Sequence, residues 1–119
     1  MTLIGHSLGA ALATYLCRDL AIASDGRFKV EGQFFASPKP GDEKYAESFT
    51  KAVQTYQVTN FELDVVPQMP PIGYAHLPNV RWLKAQPGDD PRALAANHDA
   101  LGYAARIRAE DNAHTGVPA

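Results

Sequence analysis

From Leu8 to Ala23 the chain places Leu8, Leu12, Leu16 and Leu20 at every fourth position, with Tyr15 beside them, and this spacing predicts a helix. Ala10, Ala11 and Ala13 keep its first turns thin, which favours close packing on a sheet. Ser24-Asp25-Gly26 ends the helix, with Gly26 expected as the left-handed cap. Ahead of it, Thr2-Leu3-Ile4 reads as a short apolar strand stopping at Gly5. Val30 to Ala36, carrying Phe34-Phe35-Ala36, reads as a strand buried on both faces, and Ser37-Pro38-Lys39-Pro40-Gly41 terminates it. Asp42 is placed to cap a second helix, with Glu43 in its first turn, Tyr45, Phe49 and Val53 along one stripe, and Lys51 near its end. Tyr56 and Val58 alternate within a third strand, Thr55 to Thr59. Four prolines (Pro67, Pro70, Pro71 and Pro78) prescribe an irregular loop from Asn60 to Pro78. Val80 to Leu83 reads as a fourth, short strand and Gln86 to Pro91 as turns. Asp99 to Ala109 reads as a closing helix, with fraying after Glu110. Strands that alternate with helices predict parallel pairing and an α/β class.

Composition narrows the function classes. The 119 residues suit a single domain, and 45% hydrophobic content with a formal charge of −2 excludes disorder as the main state. A near-neutral balance without a basic cluster argues against a nucleic-acid partner. Cys17 is the single cysteine, so there is no intrachain disulfide and no cysteine pair for a metal. No apolar run reaches the ~18 residues of a transmembrane segment. The first residues show no basic stretch or cleavage pattern of a signal peptide. No two histidines have ligand spacing, and neither glycine-rich phosphate loop is present, so no metal and no cofactor are expected.

The chemistry concentrates in Gly5-His6-Ser7-Leu8-Gly9, a G-x-S-x-G sequence between a predicted strand and a predicted helix. Such a turn lifts the Ser7 hydroxyl above the carboxyl end of the sheet. The two flanking glycines, Gly5 and Gly9, are expected to be there because side chains would clash. The Leu8 backbone N–H, at the helix start, is the expected half of an oxyanion hole. A serine nucleophile needs a base, and the base needs a carboxylate to hold its tautomer; in this class the order along the chain is Ser, acid, His. Asp64 follows the third strand and fits the acid; Glu62 competes, and Asp42 is better explained as a cap. His6 is expected to point away from the nucleophile as a packing residue, and His114 falls in the tail.

Gly5-His6-Ser7-Leu8-Gly9-Ala10-Ala11-Leu12-Ala13 resembles the nucleophile segment of the class 3 lipases, the fungal-type triacylglycerol lipase family. Phe35-Ala36-Ser37-Pro38-Lys39-Pro40-Gly41-Asp42 is similar to its next strand, with Lys39 and Pro40 where Arg and Val are usual. The segment from Thr59 to Pro71 resembles the acid region, although Asn60 to Asp64 is one residue longer than usual. Gly73-Tyr74-Ala75-His76 resembles a following G-Y-x-H, whose histidine is usually structural. Asn97-His98 with Tyr103 resembles the region that carries the base.

The resemblance implies an α/β-hydrolase-type, mostly parallel sheet with flanking helices, of which residues 1–119 form a single partial domain, the carboxyl-terminal half. It implies Ser7 as nucleophile, Asp64 as acid and His98 as base, with His76 the alternative base. The implied activity is a serine ester hydrolase acting on acylglycerols or similar carboxylic esters through an acyl-enzyme. The alternative is a non-catalytic remnant or interaction module that keeps these residues, and an acyltransferase or thioesterase shares the same motif. Because the family's earlier strands and second oxyanion donor precede the nucleophile segment, the edge beside Leu3 and Ile4 is expected to be open and prone to self-association. The expected partner is a lipid or small ester substrate.

Overall fold

The computed structural model describes residues 1–115. Four strands form one parallel sheet in the order β1-β2-β3-β4: β1 Thr2–His6, β2 Glu31–Phe35, β3 Thr55–Phe61 and β4 Val80–Leu83. The helices are α1 (Leu8–Ser24), α2 (Glu43–Ala52), α3 (Leu94–His98) and α4 (Ala100–Thr115), with a 3-10 turn at Val66–Gln68.

Side-chain alternation along the strands divides the core in two. On one face Phe34 and Val58 meet Ala10, Ala13 and Cys17 of α1 and Phe49 and Val53 at α2. On the other face Phe61, Leu83 and Ala36 meet Tyr103 of α4, with Phe35 and Ile107 packed against them. The thin alanine side of α1 therefore lies on the sheet, as its small side chains require. Leu8, Leu12 and Leu16 face outward. Burial within α1 pushes the Cys17 thiol up to about 11, leaving it protonated.

Local signals act as their chemistry dictates. Asp42 Oδ1 accepts the Tyr45 N–H at 2.8 Å and caps α2, with Glu43 in the first turn and Lys51 in the last. The left-handed cap of α1 falls one residue before the expected Gly26: Asp25 takes that conformation (φ 49°), and Gly26 follows it with φ 79°. An aspartate tolerates this region better than most residues, so the glycine is needed only for the second step.

Several element boundaries differ from the sequence expectation, and one helix lies outside it. β1 runs on through Gly5 and His6, which pair with Phe34 and Phe35. β3 continues to Phe61, because the end of β4 supplies partners for Asn60 and Phe61. α3 lies in a stretch where no helix is expected. α4 continues through Thr115 where fraying is expected after Glu110, helped by ion pairs from Arg81 to Glu110 and Asp111. The remainder of that tail lies outside the described residues. No helix among the described residues is long and apolar enough to cross a membrane.

Candidate active site

Ser7 sits between β1 and α1 with φ 61° and ψ −130°, a conformation that costs a non-glycine residue ~1–3 kcal/mol. Backbone bonds on both sides hold it there. Its N–H donates to the Phe35 carbonyl at 3.0 Å, and its carbonyl accepts from the N–H groups of Ala10 and Ala11 at 2.9 and 3.3 Å. The turn is thus tied to β2 behind and to α1 ahead. Leu8 is the first residue of α1, so its N–H has no acceptor within the helix.

His98, the last residue of α3, reaches the Ser7 hydroxyl from the far end of the chain. Its Nε2 lies 2.7 Å from Ser7 Oγ and its Nδ1 lies 2.8 Å from Asp64 Oδ2. A carboxylate oxygen only accepts, so Nδ1 carries the proton, Nε2 is the acceptor, and the serine hydroxyl donates to it. Asp64 is 1% exposed, and both of its oxygens accept hydrogen bonds in compensation. Oδ2 also accepts the Tyr103 hydroxyl at 2.7 Å, and Oδ1 accepts the Val66 N–H at 3.0 Å. Tyr103 in turn accepts the Phe61 N–H at 2.9 Å. Burial, together with the Asp64 carboxylate, holds the Tyr103 phenol well above its ordinary value, so it stays a donor.

The competing residues lie elsewhere. Glu62 accepts the Ala85 N–H at 2.5 Å and pairs with Lys84 at 3.8 Å, turned toward the end of β4. His76 packs edge-on against Trp82 with ring centroids 5.4 Å apart, and burial, with Lys39 nearby, pushes its pKa down. Asp42 caps α2.

Two sequence expectations need correcting. His6 does not point away: its Nε2 is 2.8 Å from the His98 carbonyl oxygen, and the two ring centroids lie 4.8 Å apart with the planes tilted. Strand alternation puts His6 on the face that α3 and α4 cover, which a strand ending at Gly5 could not convey. Gly9 does not avoid a clash either, since a Cβ there would meet nothing within 4 Å; the close approach belongs to Gly5.

A further buried polar side chain ties the strand ends together. Asn60, fully buried at the end of β3, accepts the Ser37 N–H through Oδ1 at 2.9 Å and so joins the ends of two strands beneath the site. Asn60 opens the segment that ends at Asp64, and that position is its signal in the sequence.

Comparison with known proteins agrees with this architecture. Phospholipase A1-IIgamma of Arabidopsis thaliana is 33% identical over 116 residues, covering 87% of this chain and 27% of the relative. A secreted mono- and diacylglycerol lipase A of Penicillium cyclopium is 28% identical over 120 residues, covering 99% of this chain and 37% of the relative. A solved triacylglycerol lipase with a catalytic centre formed by a serine protease triad superposes with a TM-score of 0.64 at 26% identity, covering 69% of this chain and 32% of that one. The chain therefore spans about a quarter to two fifths of the length of these proteins. The fold is of the α/β-hydrolase type, a mostly parallel sheet with flanking helices. Residues 1–74, from the nucleophile turn through the loop that carries Asp64, match the family model for class 3 lipases, and the chain belongs to that family.

Proposed function

We propose that this chain carries the nucleophile, base and acid of a serine ester hydrolase, a lipase or esterase whose substrates are acylglycerols or similar carboxylic esters. The observation that carries the reading is the unbroken hydrogen-bonded run from Ser7 Oγ through His98 to Asp64 Oδ2, assembled from residues 91 and 34 positions apart. The nucleophile turn and the Asp64 loop fall within the family match, whereas His98 lies beyond it and rests on geometry.

In this reading His98 Nε2 takes the proton from the Ser7 hydroxyl as Oγ attacks the ester carbonyl. The Leu8 N–H donates to the oxyanion of the tetrahedral intermediate. The imidazolium is stabilised by the Asp64 carboxylate, which the Tyr103 hydroxyl and the Val66 N–H hold in place beside Nδ1. His98 then returns the proton to the departing alcohol, leaving an acyl group on Ser7. Water attacks that acyl-enzyme with His98 again as base, and release of the carboxylic acid restores the serine. The names of the relatives, a phospholipase A1 and a mono- and diacylglycerol lipase, support glycerolipid esters as the substrate class.

The test is covalent labelling of the full chain with a fluorophosphonate, mapped by mass spectrometry. The adduct is expected on Ser7, and Ser7→Ala should lower ester turnover by ~10⁴–10⁶-fold. Labelling on Ser37 or Ser48, or unchanged turnover in Ser7→Ala, contradicts the assignment.

A further inference from the structure

α3 is only five residues long, and its N-terminal flanking residue, Ala93, provides no side-chain cap. Such a segment holds its shape weakly by itself, yet His98 is its last residue. The last carbonyls of a helix have no acceptor role within it, so each needs a donor from elsewhere. For the His98 carbonyl that donor is the His6 ring, Nε2 to oxygen at 2.8 Å. A carbonyl oxygen only accepts, so His6 Nε2 carries the proton.

The same ring lies against the His98 imidazole, with centroids 4.8 Å apart and planes tilted by 33°, and stands edge-on to Tyr103 at 6.0 Å. Asp64 holds the tip of His98 at Nδ1, whereas His6 holds its main chain. His6 also directly precedes Ser7 at the end of β1, in register with Phe35 of β2. One rigid strand end thus sets both the nucleophile and the anchor of the base.

We infer that His6 is a positioning residue for His98: its Nε2–H fixes the main chain of the base at the distance from Ser7 that proton transfer requires. The inference rests on the reading of His98 as the base. An ordinary packing role would require only the ring, whereas this one requires the donor. A displacement of ~1 Å in a catalytic group can cost ~10²-fold in rate.

The discriminating variants of the full chain are His6→Phe, which keeps an aromatic ring but donates nothing, and His6→Gln, whose amide can still donate. The first readout is the low-field proton NMR resonance of His98 Nδ1–H bonded to Asp64, which needs no turnover. The second is the rate of fluorophosphonate labelling at Ser7, with urea unfolding to confirm that each variant is folded. His6→Phe should weaken or abolish the resonance and slow labelling by up to ~10²-fold, and His6→Gln should restore both to within a few-fold. If folded His6→Phe keeps the resonance and the labelling rate, or if His6→Gln loses as much as His6→Phe, the positioning role is overturned. A chain that shows the resonance, and loses it in His6→Phe, but takes no label supports the His6 role while overturning the hydrolase reading. Absence of the resonance from the unsubstituted chain overturns both.

Discussion

A Cβ on Gly5 would lie 2.4 Å from the Gly9 carbonyl oxygen and 2.7 Å from the Ala10 Cα, both backbone atoms that cannot swing aside. Relief would have to come from moving α1 off β1, and with it the strained turn that presents Ser7. At Gly9 the same atom would meet open space. Gly5→Ala should therefore abolish labelling at Ser7 and lower the urea midpoint. Gly9→Ala should leave the fold intact, with a gain of up to ~1 kcal/mol from helix propensity. Equilibrium urea unfolding of the two variants, read beside labelling, checks the contrast. The G-x-S-x-G spacing announced the turn but treated its two glycines alike; only the distance of closest approach between strand and helix separates them.

Among the elements, α1 shows how a helical period can reveal a helix without revealing which side is buried. Its leucines recur every four residues, yet the side against the sheet is Ala10, Ala13 and Cys17, and of the leucines only Leu20 packs against that core. Ala10→Leu should overpack that contact and cost ~1–3 kcal/mol. Leu16→Ala, on the exposed side, should change stability by no more than ~0.5 kcal/mol. Thermal or urea unfolding of the 119-residue chain at low concentration measures both. α3 illustrates the opposite case. Leu94 to His98 is too short to show a period, and its position depends on the Asn97 side chain donating to the Asp90 carbonyl at 2.8 Å and on His6. Neither contact is written in the local sequence.

Across the assembled sheet, β1 lies at one end of the order and pairs only with β2 among the described residues. Beside this open edge Ile4 is 71% exposed, and Leu8, Leu12 and Leu16 are 68%, 58% and 51% exposed. An unpaired strand with exposed apolar side chains beside it, Ile4 on the α4 side and the α1 leucines on the other, is a surface that water leaves readily to another chain. The 119-residue chain taken by itself should therefore associate with further copies as concentration rises. Light scattering after size exclusion would detect this, and Ile4→Lys or Leu12→Lys should shift the population toward monomer. A monomer at every concentration would contradict it.

What the amino-acid order determined alone is whatever depends on near neighbours. The strand–turn–helix around Ser7, the Asp42 cap, the alternation of strand and helix, and the proline-rich loop all follow from residues within a few positions of one another. The family likeness, too, was legible in the segments around Ser7, Ser37 and Asp64. Tertiary structure decided what depends on distant partners. It selected Asp64 over Glu62 for contact with His98, because the end of β4 claims Glu62 through the Ala85 N–H. It set His76 against Trp82 and brought His98 over Ser7. It also turned His6 toward the His98 carbonyl, because a strand's side chains alternate between faces and only the packing of α3 and α4 says what each face meets.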